Sequence, residues 1–280
     1  MSDDKGYLTP EDYAEPRCLL CDEPYGAKPA VKAVPQQRII EKMNEYMAHR
    51  DYAGAERHLL YWLEEAKLGH DLGGELMLRN ELVGHFRKTG NKEGAFESAA
   101  EALRLVEALD FEGHISAGTT YINVATAYNA FGENEKAIAL FEKAKRVYES
   151  NPNTDPSLLG GLYNNMALTE VALGNFEAAF ALYEKALAVM EGVAGGALEQ
   201  AITYLNMADA LEAQSGHEAA EKQIFEWVDK AYDLLTESDA AHDGYYAFVC
   251  EKCAPSFSYY GYFLAAQELN KRAESIYERD

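Results

Sequence analysis

Two pairs of cysteines have the clearest chemistry in this sequence: Cys18-Leu-Leu-Cys21 near the start and Cys250-Glu-Lys-Cys253 near the end. Cys-x-x-Cys pairs occur in zinc sites and in redox couples. Two pairs together would supply the four thiolates of a tetrahedral structural zinc site. The stretch from Cys21 to Pro35 reaches at most about 50 Å, so only a strongly curved chain, or a partner chain in a homodimer, brings the pairs together. The alternative is that these are unrelated thiols, packed as small hydrophobic side chains.

A second candidate set is an asparagine that recurs at one position of three similar segments. It lies within Tyr-Ile-Asn-Val-Ala, Tyr-Asn-Asn-Met-Ala and Tyr-Leu-Asn-Met-Ala, as Asn123, Asn165 and Asn206. An earlier segment has Glu81 in this position, with Asn80 beside it. Asparagine is a mediocre helix former, so its repetition calls for a reason. A carboxamide both accepts and donates hydrogen bonds, which suits the backbone of an extended peptide. The alternative is that each amide bonds a neighbouring helix within the protein.

The elements that must position these residues follow from a repeat of about 42 residues. Glycines at Gly90, Gly132 and Gly174 align three copies. Apolar residues on both sides of each glycine recur at helical spacing, so each copy is predicted to be two amphipathic helices. Glycine permits the left-handed backbone that ends a helix. Small residues after each turn let the two helices approach closely: Ala95, Ala137 and Ala179. A fixed period of this length predicts a solenoid of stacked units.

Weaker copies extend the pattern in both directions and predict about six helix pairs over residues 36–280. Residues 1–35 differ, because they hold five of the eight prolines, and we expect an irregular N-terminal arm there. Its apolar residues favour docking of the arm onto the solenoid. Residues from about 238 to 280 are rich in Tyr and Phe, which is typical of a cap at the end of an array. Pro255 interrupts this segment, so we expect a kink or a new helix start there.

The formal net charge of −22 disfavours nucleic acid and anionic membranes as partners. No apolar stretch approaches the ~20 residues that span a bilayer, and the start does not resemble a secretory signal. We therefore expect a cytoplasmic protein. The sequence contains none of the common nucleotide-binding, nucleophile or zinc-protease motifs, and its seven histidines are scattered. These features predict that the protein is not an enzyme and requires no cofactor, the structural zinc apart.

The repeated columns resemble the tetratricopeptide repeat (TPR) family, whose unit carries a small residue and an aromatic before a Gly-Asn/Asp turn. The family period is about 34 residues, so these units are longer. They are similar in this respect to kinesin light chain and to bacterial peptide-receptor TPR domains. The resemblance implies an all-α, right-handed superhelical solenoid whose first helices line a concave groove. It also implies that groove asparagines hold a peptide backbone: Asn123, Asn165 and Asn206, with Asn164, Asn80 and Asn129 as secondary candidates.

The function implied is a scaffold or adaptor that binds an extended peptide or protein segment. The excess of acid favours a neutral or basic partner. Two alternatives remain open at this point. In one, the protein is a structural or self-assembly protein whose arm docks on the solenoid, through the four-cysteine zinc site or otherwise. In the other, the arm occupies the groove until a partner displaces it.

Overall fold

The computed structural model describes residues 31–237 and 241–278, and within them every regular element is an α-helix. The arm residues before position 31, with Cys18 and Cys21, lie outside the described residues. The twelve helices are α1 (Gln36–Ala48), α2 (Tyr52–Leu68), α3 (Leu72–Thr89), α4 (Lys92–Ala108), α5 (Ile115–Ala130), α6 (Asn134–Ser150), α7 (Pro156–Ala172), α8 (Phe176–Glu191), α9 (Ala197–Ser215), α10 (His217–Glu237), α11 (Gly244–Tyr259) and α12 (Phe263–Tyr277).

The helices pack as six consecutive pairs, α1 with α2 through to α11 with α12. The predicted all-α solenoid of about six helix pairs is confirmed. The first helix begins directly after Pro35. Proline has no backbone N–H, and this costs nothing at a helix start, where the N–H groups have no partner within the helix.

The turns inside the pairs show why glycine recurs at the period of the repeat. Gly90, Gly132 and Gly174 have φ of 75°, 80° and 80°, in the left-handed region that a side chain disfavours. The first pair has Arg50 at the corresponding turn, with φ of 54°. Directly after the Gly90 turn, Asn91 caps the start of α4, because its side-chain Oδ1 accepts a hydrogen bond from the Gly94 amide at 3.0 Å. The predicted left-handed turns are confirmed.

Small residues hold the two helices of a pair together. Ala95, Ala137 and Ala179 are fully buried at their interfaces. The closest fit lies in the third pair, where Gly118 of α5 faces the fully buried ring of Tyr148 on α6. A Cβ at position 118 would lie 2.3 Å from Tyr148 Cε1. The absence of a side chain at Gly118 therefore leaves the space that the tyrosine ring occupies.

Neighbouring pairs pack where the second helix of one pair meets the first helix of the next, as α2 meets α3, α4 meets α5, α6 meets α7 and α8 meets α9. Successive first helices also contact one another. α3 contacts α5, α5 contacts α7, α7 contacts α9, and α9 contacts α11. The second helices of neighbouring pairs do not reach one another to the same extent in the described residues. Elements inside a curve lie closer together than those outside it, so the first helices line the concave side. We call the surface formed by α3, α5, α7, α9 and α11 the inner face.

The hydrophobic core is divided along the stack into four clusters of buried side chains. The first spans residues 34–95, the second 76–166, the third 167–210 and the fourth 198–276. The third is the smallest, with five buried residues. A core built in this serial way is typical of solenoids, in which each unit packs only on its neighbours.

The first helix of the sixth pair runs through Pro255 without a break. A new helix start at Pro255 is therefore wrong. Cys253, Ala254 and Phe257 flank the proline and lie buried in one cluster, so packing on both sides keeps the backbone helical despite the missing hydrogen bond.

The solenoid is strongly curved, because its first and last pairs touch. Arg50, at the α1–α2 turn, donates from Nη2 to Glu251 Oε1 of α11 at 2.9 Å. The solenoid therefore has the strong curvature that would be needed to bring the two cysteine pairs of one chain together. We call the region where the two ends meet the seam.

Candidate functional site

One position on the inner face can be followed from helix to helix by counting back from the turns. In four pairs the residue after the turn glycine donates its amide to a carbonyl near the end of the first helix, as in Glu133 to Tyr128 at 2.8 Å. In each of these four first helices, the residue five places before that carbonyl residue occupies the equivalent position of the repeat. We call this set the inner column. With Asn206, placed by burial and contacts, it consists of Glu81, Asn123, Asn165, Asn206 and Lys252.

Two hydrogen-bonded asparagine pairs join neighbouring first helices. Asn123 of α5 donates from Nδ2 to Asn80 Oδ1 of α3 at 3.1 Å. Asn206 of α9 donates in the same way to Asn164 Oδ1 of α7, also at 3.1 Å. The Asn80 amide in turn donates to Thr120 Oγ1 and to a carbonyl of its own helix, both at 3.0 Å. Each pair therefore links two units, while the side-chain carbonyl oxygens of Asn123 and Asn206 accept no hydrogen bond from a described residue.

Asn165 lies between these pairs and has no side-chain hydrogen bond to another described residue. It is half-buried on the inner face. The position on α5 that would receive it is occupied by Ile122, which has no polar side-chain atom, where the other units have Asn80 and Asn164. As far as the described residues go, a carboxamide without a partner thus lies between two paired ones.

The remaining secondary candidate, Asn129, lies at the end of α5 and serves the turn. Its Nδ2 donates to Asn134 Oδ1 at the start of α6, at 3.3 Å. The structure thus brings four of the six predicted asparagines together in pairs, leaves Asn165 open, and places Asn129 at the edge.

Carboxylates give the inner face its electrostatic character. Burial raises the pKa of Glu81 on α3 and of Glu199 and Asp209 on α9. Asp209 nevertheless contacts solvent. The inner face thus carries acidic groups whose charged form is disfavoured by the protein around them.

Hydroxyl groups of tyrosines within α11 and directly after it donate to the acids of α9. Tyr260 shares its one hydroxyl proton between Asp209 Oδ1 at 2.7 Å and Glu212 Oε2 at 3.2 Å, and Tyr259 donates to Glu212 Oε1 at 3.0 Å. Tyr245 donates to Glu199. These contacts fasten the last pair to its neighbour, which sequence reasoning did not foresee. Beside them is a cavity of about 640 Å³ between α9 and α11, lined by Asp209, Glu212, Ala213, Pro255, Ser256 and Tyr259.

Cys250 and Cys253 lie within α11, both buried and free. Burial raises the pKa of Cys250, and raises that of Cys253 to about 12. Zinc binds the thiolate, so this environment opposes ligation. Within residues 31–237 and 241–278 no group of three or more His, Cys, Asp or Glu side chains is arranged to hold a metal. The four-cysteine zinc site stays a prediction, since Cys18 and Cys21 lie outside the described residues.

No helix in the described part of the chain combines the length and the apolar character needed to cross a membrane.

Comparisons with known proteins agree with this architecture. A family model described as tetratricopeptide repeat matches residues 75–150 and 158–227. No curated protein gives a significant sequence match. Among solved structures, BtubC (BKLC) of P. vanneervenii is 21% identical, with a TM-score of 0.51 over 82% of this chain and 90% of that chain. A Rap protein complexed with competence and sporulation factor is 12% identical, with a TM-score of 0.51 over 85% and 73%.

A variant of a putative kinesin light chain of Podospora anserina, with nearly identical TPR-like repeats, is 18% identical. Its TM-score is 0.50 over 71% of this chain and 92% of that chain. At these identities the structures establish the fold alone. The family model covers just over half of the residues, and its two matches coincide with the helix pairs whose turns and columns are described above. The chain therefore belongs to the tetratricopeptide repeat family.

Proposed function

We propose that this protein is a non-enzymatic interaction scaffold whose inner face binds an extended segment of a partner protein. TPR proteins bind proteins or peptides, so the class of function follows from the family. The particular surface and ligand are the proposal. The observation that carries it is the open carboxamide of Asn165, held between two interhelical asparagine pairs.

The inner column offers the hydrogen-bonding groups that an extended backbone needs. Asn165 can donate and accept, while Asn123 and Asn206 each donate one N–H to a neighbouring helix and keep a side-chain carbonyl oxygen that accepts from no described residue. Packed helices lie about 8–10 Å apart, and an extended peptide rises about 3.3 Å per residue. One asparagine therefore meets about every third residue of a ligand. The span from Asn123 to Asn206 accommodates about six residues.

The acids favour a ligand with neutral or basic side chains. Glu81, Glu199 and Asp209 carry charges that burial disfavours, and a lysine or arginine of the ligand would compensate them. The same charge argues against the N-terminal arm as the occupant, because residues 1–30 hold seven acidic and three basic side chains. We place the protein in the cytoplasm as part of this proposal, since its described cysteines are free thiols.

The test uses a ligand selected from a library of random 12-residue peptides displayed on phage. The Kd of the selected peptide is then measured by fluorescence anisotropy for wild type, Asn165→Ala and Asn270→Ala. Asn270 is the matched control, because it is an exposed asparagine on α12, a second helix. Loss of a hydrogen bond to the ligand backbone costs about 1–2 kcal/mol, so Asn165→Ala should weaken binding about tenfold.

Two further results would support the proposal: Asn270→Ala binds like wild type, and the selected peptides carry more Lys and Arg than the library. Equal affinity of wild type and Asn165→Ala would remove the asparagine mechanism. Selection of acidic peptides would refute the role given to the carboxylates.

A further inference from the structure

The seam is a contact that stacking of repeats does not require. Arg50 and Glu251 are 201 positions apart in sequence, yet their side chains form an ion pair at 2.9 Å. In a solenoid each unit packs on its neighbours, and the rotations between units add up along the array. The first and last pairs meet only when the sum of five rotations has one particular value. The seam therefore reports, and can fix, the curvature of the whole inner face.

The seam is also thin. The Arg50 and Glu251 side chains remain 69% and 49% exposed despite their contact. Between the two ends is a cavity of about 820 Å³, and Phe248 and Tyr277 on its wall remain nearly half exposed. Among the described residues, the ends are thus joined by a solvent-exposed ion pair at the edge of this cavity. Exposed ion pairs contribute only about 0–1 kcal/mol, so this pair can bias the ratio of closed to open arrays by no more than about fivefold.

We propose that the Arg50–Glu251 pair is a latch, whose closure holds the solenoid in its tightly curved form and whose release widens the inner face. Switches of this kind need two arrangements of similar free energy and a local contact that biases them. The core, divided into clusters along the stack, allows two arrangements of similar free energy, because small changes at each junction add up without breaking any cluster. The ion pair is the local contact that biases them.

The latch couples to ligand binding if the proposed function is correct. A segment lying across α5, α7 and α9 fits one curvature better than another, so it shifts the ratio of closed to open molecules. By reciprocity, releasing the latch changes the affinity for that segment by the same factor.

The latch itself is tested on the full chain without any ligand, by small-angle X-ray scattering. Arg50→Glu places two carboxylates at the seam and should increase the radius of gyration and the maximum dimension. The double variant Arg50→Glu/Glu251→Arg restores an ion pair of reversed polarity and should return both values to those of wild type. The matched control is Arg104→Glu, which makes the same charge change at an exposed pair with Glu101 on a single helix. It should leave scattering unchanged.

Salt supplies a second readout. Raising NaCl from 0.05 M to 1 M shortens the screening length to about 3 Å and should shift wild type toward the Arg50→Glu profile. Since an exposed pair biases the ratio of closed to open molecules by no more than about fivefold, the shift is partial. The proposal is overturned if Arg50→Glu scatters like wild type, or if the double variant stays as expanded as Arg50→Glu.

The coupling is measured with the phage-selected peptide. Arg50→Glu should change its Kd by up to about fivefold, and the double variant should restore it. A scattering change with an unaltered Kd supports the latch and refutes the coupling. Failure to select any peptide refutes the proposed function and leaves the scattering result to decide the latch.

Discussion

Replacing Gly118 with alanine tests the close fit within the third helix pair. The added Cβ would lie 2.3 Å from Tyr148 Cε1 and 2.7 Å from Cδ1, so the ring must move by about 1 Å. The ring cannot swing freely, because it is fully buried and its hydroxyl is hydrogen-bonded to Thr119 Oγ1 at 2.9 Å. Overpacking of this kind costs about 1–3 kcal/mol, while glycine to alanine in a helix returns about 0.5–1 kcal/mol. We expect a net loss of about 1–2 kcal/mol.

The assay is thermal unfolding followed by circular dichroism, in which that loss corresponds to a fall in Tm of about 3–6 °C. Gly161→Ala is the matched control, because Gly161 is also in a first helix but a Cβ there meets nothing within 4 Å. Its Tm should rise by about 1–3 °C from helix propensity alone. If Gly118→Ala melts at or above wild type while Gly161→Ala behaves as expected, the steric reasoning is refuted.

The repeat itself provides a compensating exchange. The positions of Gly118 and Tyr148 are occupied one unit earlier by Leu76 and Val106, both buried in the same cluster. Gly118→Leu/Tyr148→Val copies that solution, and we expect it to unfold at a higher temperature than Gly118→Leu alone. A double variant that is no more stable than the single one would show that the two units do not share a packing scheme.

Four further predictions concern individual side chains. Tyr183→Phe should keep or raise Tm, because the buried hydroxyl has no hydrogen-bond partner in the described residues. Tyr246→Phe should lower unfolding free energy by about 1–3 kcal/mol, because its hydroxyl donates to an α10 carbonyl at 2.9 Å and accepts from an α12 guanidinium at 2.7 Å. Asp209→Asn should raise Tm at pH 7, and the gain should vanish on acidification, because burial raises the pKa of Asp209 and its protonation in the wild type removes the same penalty. Cys250 and Cys253 should resist iodoacetamide in the folded protein and react in urea, and a chelator should not expose them; zinc at stoichiometric level in purified protein would contradict this.

The fold could be predicted from the sequence because its determinants are local. A turn glycine, an alanine after it and an aromatic at helical spacing specify a helix pair without reference to the rest of the chain. The structure confirms this at Gly90, Gly132 and Gly174 and at the alanines that follow them. The continuity of α11 through Pro255 was not visible, because it depends on burial of both flanks by other helices.

The candidate site was predicted only in part, because its geometry depends on how helices of different units cross. The sequence shows a column of three identical asparagines. The structure shows that Asn123 and Asn206 each donate to the preceding first helix one position earlier, at Asn80 and Asn164. The equivalent position for Asn165 is Ile122. The isoleucine breaks the series and leaves Asn165 open. The interruption of the asparagine pairs at Ile122 could be recognised in the sequence once the one-residue offset is known. The offset itself is set by interhelical packing.

The uneven division of the core has a consequence for motion. Local opening costs least where the fewest apolar side chains must be exposed, and the cluster between residues 167 and 210 has five. Amide hydrogen exchange should therefore be fastest in α7 and α8, next to the column that holds Asn165 and Asn206. A segment bound there would slow exchange in this stretch most, so the least stable part of the array would be the part that binding stabilises most.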